Sequence, residues 1–368
     1  MEIDWAAVRR ARKDMGDEQC LLLLKTRKRY HGAVLDDAVP PDDGDGPANG
    51  GWFETPQGWM LFIEGLGSEV DPWIERLAAG LEAAGVAGVI GGGRTVGPPA
   101  WERHLRFAPA LVLNFGFAPY AHQQGSEGPG WETHTLTQAA TLGTDWLVAD
   151  GGNLRATVDL QASFFCDVDT AVRILTSEVG AHHRPGLADS FHDSHQEIRT
   201  CDLQPHCRGS LATRSAGYDW QKSVDDLKAA LLALPKQRLS IAMISHLDWT
   251  GYLRAQPPGS EHYCAPTFAY YPERWSEFTL DPCGIQILTD RHLAKAHSLD
   301  AWRTTKLDET HYLVEARELA AWYATPLAMM DPVPAEVLDP ARADFGDLVI
   351  THERAHELGI DRKPPRRG

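Results

Sequence analysis

No apolar run in this chain reaches the roughly 20 residues that a bilayer-spanning helix requires; Leu21–Leu24 stands out and is far too short. The opening MEIDWAAVRRARKDMGDEQCLLLL begins polar and lacks the succession of regions that marks a signal peptide. The expectation is a cytoplasmic protein without membrane insertion. Cysteine is scarce and scattered. Cys20, Cys166, Cys201, Cys207, Cys264 and Cys283 include no Cys-x-x-Cys pair of the kind that builds a robust zinc module. An even number permits disulfides, but buried free thiols are ordinary in a large cytoplasmic protein. Cations are in deficit: Lys and Arg number 35 against 51 Asp and Glu, a formal net charge of −16. Surplus carboxylates disfavour nonspecific association with nucleic-acid backbones and leave a basic protein as the partner that charge would attract. Phosphate and metal words are missing as well. Gly91–Gly92–Gly93–Arg94 has neither the order of a dinucleotide loop nor the ending of a P-loop, and reads as a turn. The stretch 36–51, DDAVPPDDGDGPANGG, lacks the ligand periodicity of an EF-hand and reads as an exposed acidic loop.

What is present suits a folded chain. Hydrophobic residues make up 43% of the sequence, tryptophans number twelve, and 368 residues accommodate about two domains. Trp5, Val8, Ala11 and Met15 form one helical stripe behind the capping residue Asp4. Trp52–Phe53 and Trp59–Glu64 read as strands around a Pro56–Gln57–Gly58 turn, and Trp73, Leu77, Leu81 and Ala84 as a helix stopped by Gly85. Strands are expected at Leu111–Phe117, Trp146–Ala149, Leu154–Leu160, Leu239–Ile244, Gly284–Leu288, Trp302–Leu307 and His311–Val314. Helices are expected over Asp169–Val179, from Asp219 or Ser223 to Leu234, after Thr289, and over Glu315–Tyr323. The order predicts an α+β protein of two mixed or antiparallel-sheet modules with packed helices. Residues 1–209 form one, with the acidic loop near 36–51, and residues 218–358 the other, ahead of a basic tail at 359–368.

The densest chemistry lies in HHRPGLADSFHDSHQEIRTCDLQPHC, which holds five of the sixteen histidines. His192 and His195 are three apart, so a local helix would place them on one face, and Asp189 would extend it. Cys201, His206 and Cys207 are further possible ligands returning through a loop. Nitrogen, carboxylate and thiolate donors suit zinc, and an open coordination position would activate water for hydrolysis. His-x-x-His alone is common, and the His-Glu-x-x-His pattern is absent. A polar connection with exposed or hydrogen-bonded histidines is therefore the plainer reading. Ser245–His246–Asp248 contains triad residue types, though a triad is defined in space and not by a short word. Tyr263, Tyr270, Tyr271 and Trp275 form an aromatic neighbourhood that suits an interface, a pocket or a core lid.

The segment 284–323, GIQILTDRHLAKAHSLDAWRTTKLDETHYLVEARELAAWY, resembles a module in uncharacterised actinobacterial proteins, and it brings no catalytic residue with it. The acidic, tryptophan-rich α+β character of the whole chain is similar in style to bacterial toxin-immunity proteins. The leading expectation is a non-enzymatic immunity or accessory protein that engages a basic protein and needs no cofactor. The alternative is a divalent-metal hydrolase, with zinc, centred on residues 182–207.

Overall fold

The computed structural model describes residues 1–15, 19–28, 30–41, 47–55, 57–65, 67–93, 105, 108–119, 131–158, 162–181, 186–204, 207–246, 266–327 and 333–362. The fold is α+β. Two compact units share the chain: unit 1 takes Met1–Gly97 and Arg155–Ile174, and unit 2 takes Pro98–Leu154 and Leu175–Gly368. The expected boundary between residues 209 and 218 falls within unit 2.

Unit 1 is built on a five-stranded mixed sheet, ordered β1 (Glu2–Ile3), β5 (Gly88–Gly92), β2 (Gln19–Thr26), β4 (Gly58–Glu64), β3 (Ala48–Thr55). Among the described residues of this sheet only the β1–β5 pair is parallel. β3 and β4 make the expected hairpin, closed by Thr55 opposite Gly58. α2 (Gly32–Asp36) ends in the acidic stretch, β3 starts in it, and Asp36 Oδ1 accepts from the Trp52 N–H; residues 42–46 of the stretch lie outside the described residues. Asp4 caps α1 (Trp5–Met15) by accepting from the Ala7 N–H at 3.0 Å. That helix and α3 (Gly67–Ala83) contribute Val8, Ala11, Val70, Trp73, Ile74 and Leu77 to one core with Leu22, Leu24, Leu61 and Ile63 of the sheet. The reverse face, Leu21, Leu23, Met60 and Phe62, packs with Ala156, Phe164 and Ile174. These last residues come from β7 (Asn153–Val158), β8 (Ala162–Phe165) and α5 (Val168–Ala181). Leu21–Leu24 is thus buried on both sides, and each leucine contributes about 2 kcal/mol or more from burial.

Unit 2 contains eight strands joined by antiparallel pairing in the order β14 (Trp302–Lys306), β15 (His311–Ala316), β13 (Ile285–Thr289), β12 (Leu239–Ser245), β6 (Ala110–Phe117), β11 (Arg208–Ser215), β10 (Glu197–Gln204), β9 (Gly186–His192). Two helices, α4 (Thr133–Val148) and α6 (Trp220–Ala233), pack on one face. Asp219 caps α6 through the Lys222 N–H, as expected. Trp146–Val148 is not a strand but the end of α4. The apolar word there is one turn of a helical stripe, in which Leu136, Ala139, Ala140, Gly143, Trp146 and Leu147 are all buried. Glu132 starts this helix by accepting from the N–H and hydroxyl of Thr135, bonds that hold its pKa below the usual range. Glu315 belongs to β15, and the helix expected after it begins later, as α8 (Leu319–Tyr323), behind the short α7 (Asp290–Leu293). The C-terminal part adds α9 (Ala335–Phe345) and α10 (His352–Glu357). No helix among the described residues is long and apolar enough to cross a membrane.

Candidate functional site

In its described residues the histidine-rich segment is a strand pair and not a connection with a local helix. Asp189 and His192 lie on β9, and His195 lies in the 3-10 turn Asp193–His195 that follows it. Side chains alternate along a strand, so Asp189 and His192, three apart, point to opposite faces of the sheet. His192 is buried with its Nε2 3.0 Å from Ser190 Oγ, whereas His195 is exposed. Cys201 is buried against Gly143 of α4, and desolvation pushes its thiol pKa well up. Cys207 is also buried, with a left-handed φ of 61° at the turn into β11. His182, His183 and His206 lie outside the described residues. Among the described residues, no group of three or more His, Cys, Asp or Glu side chains is arranged to hold a metal ion.

What does gather on the helix-covered face is a charge network around Arg199, a residue the spacing did not single out. Cross-strand register sets His192 opposite Glu197 and Ser190 opposite Arg199. The Arg199 side chain is only 2% exposed. It donates to Glu197 at 2.6 Å, to Asp150 at 2.8 Å, to Asp226 at 3.1 Å and to the Trp146 carbonyl at 3.3 Å, with its guanidinium 4.6 Å from the Trp146 ring centroid. Such pairing is what makes a buried guanidinium tolerable. Lys222 Nζ sits 2.8 Å from Asp226, 3.7 Å from Glu197 and 3.8 Å from Asp150. Burial opposes the Lys222 charge, but Asp226 and then Glu197 outweigh it and hold the ammonium pKa above its ordinary value. His192 is shifted the other way, first by desolvation and then by the Arg199 charge, so its pKa is lowered. Three carboxylates meet two cations, and Asp150 (47% exposed) and Asp226 (34%) reach solvent. Asp150 also holds a φ of 66°, a left-handed conformation uncommon outside glycine.

The opposite face of the same sheet carries a second assembly. Register places Asp202, Ser210, Asn114, Met243 and Gln286 side by side on β10, β11, β6, β12 and β13. Asn114, Ser210, Met243 and Gln286 are buried. Asn114 Nδ2 donates to Ser245 Oγ at 3.0 Å, Gln286 Nε2 donates to the Cys283 carbonyl at 3.3 Å, and Gln204 Nε2 donates to Asp202. Two of the expected aromatics belong here. Trp275 is buried with its ring over Gly116 and donates to the Phe268 carbonyl, and Tyr270 lies 5.5 Å from the Arg208 guanidinium. Tyr271 instead donates to the Arg362 carbonyl, and Tyr263 lies outside the described residues. Ser245 is engaged by Asn114 while His246 Nε2 bonds the Trp322 carbonyl, so these neighbours do not meet as a nucleophile and base; Asp248 is outside the described residues. No protein-family model matches this chain, and no curated protein matches it either.

Proposed function

We propose that this chain is a non-enzymatic binding protein, an immunity or accessory factor, that engages a basic polypeptide. The observation that carries the reading is the solvent edge of the Arg199 network. There Asp150 and Asp226 reach water from positions fixed by a buried guanidinium, and carboxylates exceed cations three to two. A cationic side chain approaching this edge meets carboxylates that are already ordered, so little side-chain entropy is lost on contact. The net charge of −16 adds long-range attraction, which raises association rates and falls with ionic strength. The test is copurification at rising salt with wild type and Asp150→Asn, each first checked for an unchanged unfolding midpoint. The reading requires a protein retained at low salt, released at high salt and lost with the substitution. Identical capture by both forms, or no capture at low salt, would sink it.

A second reading is favoured by the polar row. Side chains at the centre of a sheet covered on both faces are ordinarily apolar, because a polar group taken out of water costs free energy unless it is fully bonded. Asp202, Ser210, Asn114 and Gln286 in one row line up hydrogen-bonding side chains on the face where Trp275 packs, the kind of groups that orient a small-molecule ligand.

A further inference from the structure

A groove of about 460 Å³ in the C-terminal part of unit 2 belongs to neither assembly. Phe278 and Val349 are its buried wall, and Lys295 and Arg354 bring two cations into it. The frame behind the groove is fixed. Thr279 pairs with Val349 in a parallel bridge, and the Ile350 N–H donates to the Thr279 carbonyl at 3.0 Å. His292, fully buried, accepts from the Thr289 N–H through Nδ1 and lies with Nε2 3.1 Å from the Phe278 carbonyl, which pins the chain on both sides of the groove wall.

Of the two cations in this groove, Lys295 is the less neutralised. Lys295 Nζ rests 3.6 Å from the Phe278 ring centroid, and its nearest carboxylate, Glu277, is 3.9 Å away. Glu277 also serves Arg274 at 3.5 Å, while Arg354 is paired with Glu357 at 2.6 Å. We propose that the groove binds the oxyanion group of a small ligand, a phosphate or a carboxylate, between Lys295 and Arg354. Lys and Arg donors to an oxyanion form charge-assisted hydrogen bonds, and an aromatic wall on one side of the ammonium leaves its donors directed elsewhere. The Lys295 pKa supports this placement. Desolvation lowers it and the Arg354 and Arg274 charges act in the same direction, against Glu277 and Asp347. An anion would relieve that strain.

The lining also holds Asp347, Glu353 and Glu357, three carboxylates to two cations, so the anion gains chiefly at Lys295. Asp347 is 88% exposed and Glu357 52%, and water and salt screen such groups more than they screen Lys295 at 29%. Thermal unfolding of the full chain in inorganic phosphate, in acetate and in chloride of equal ionic strength reads the site directly. We expect phosphate or acetate to raise the midpoint beyond chloride, and the stronger of the two to name the group. Lys295→Gln and Arg354→Gln should each weaken the apparent affinity about tenfold, the value of one charge-assisted hydrogen bond. Glu353→Gln, which removes a rim charge, should strengthen it. Both cations are part-exposed, and each variant's midpoint in chloride reports its folding. If Lys295→Gln does not fold, Arg354→Gln carries the test. A shift no larger than that in chloride, or one that survives these substitutions, overturns the proposal.

Discussion

At the centre of the unit 1 sheet, β2 and β4 set Leu21 opposite Phe62, Leu22 opposite Leu61 and Leu23 opposite Met60, so both faces are apolar. At the centre of unit 2 a cross-strand row reads Asp202, Ser210, Asn114, Met243 and Gln286. Both rows are largely buried, and only one is what packing alone would choose. Stability is the whole account of the first. In the second the chain has placed hydrogen-bonding groups where apolar ones would serve cohesion better, a departure of the kind found at functional or strained sites.

The largest expected effect comes from exchanging the two chemistries. Leu61→Asn puts an unbonded carboxamide into the unit 1 core and should cost about 4 kcal/mol, the sum of lost burial and polar desolvation. Asn114→Leu removes the bond to Ser245 and leaves that buried hydroxyl without this partner, which should cost about 2 kcal/mol. Denaturant unfolding of both variants decides the matter. Equal losses would make the polar row a structural element of unit 2 and remove the second functional reading.

Acid should divide the units again, with a smaller effect. Of the sixteen histidines only His31 lies in unit 1, while unit 2 holds His192, His246 and His292, each with its pKa lowered mainly by desolvation. His292 is held down to about 4. A histidine whose folded pKa lies below its unfolded value of about 6.5 contributes full stability above that pH. As pH falls the unfolded chain takes up the proton first, and the contribution is lost between about 6.5 and 4. For His292 the loss is about 3 kcal/mol. Hydrogen exchange across that range should show unit 2 amides losing protection ahead of those in unit 1, and His292→Gln should flatten the dependence. Parallel loss in both units would contradict this division.

Most elements of both units were legible from periodicity and caps: α1 behind Asp4, the β3–β4 hairpin, α6 behind Asp219, and β12 to β15. Two misreadings share one cause. The apolar word Trp146–Ala149 has strand composition, yet its place in the stripe from Leu136 makes it helix. The histidine-rich word has loop composition, yet Ala188, Ser190, His192 alternates with Leu187, Asp189, Phe191 as the two faces of β9. In both cases the decisive pattern was longer than the word that drew attention. The Arg199 network could not be read at all, since its partners Asp150 and Asp226 are 49 and 27 residues away. The polar row left a faint trace, a single Asn in ALVLNFGF and a single Gln in IQILT, each out of character with its strand.

The smallest expected effect concerns how each unit seats a helix. A Cβ added at Gly80 of α3 would stand 2.6 Å from the Ala38 carbonyl oxygen, and one at Gly143 of α4 would stand 2.3 Å from Cys201 Sγ. Either alanine substitution overpacks its interface and should cost about 2 kcal/mol. The obstacles differ in kind. In unit 1 it is backbone, which no side-chain truncation removes. In unit 2 it is a thiol, and Cys201→Ala clears the space that Gly143→Ala fills. Gly143→Ala/Cys201→Ala should therefore recover most of the loss, with a favourable coupling of about 2 kcal/mol in a double-mutant cycle followed by urea unfolding. Additive losses would mean that Cys201 Sγ is not the obstacle, and that Cys201 Cβ and Leu211 Cδ2, the next neighbours at 3.3 and 3.8 Å, hold α4 at its distance from the sheet.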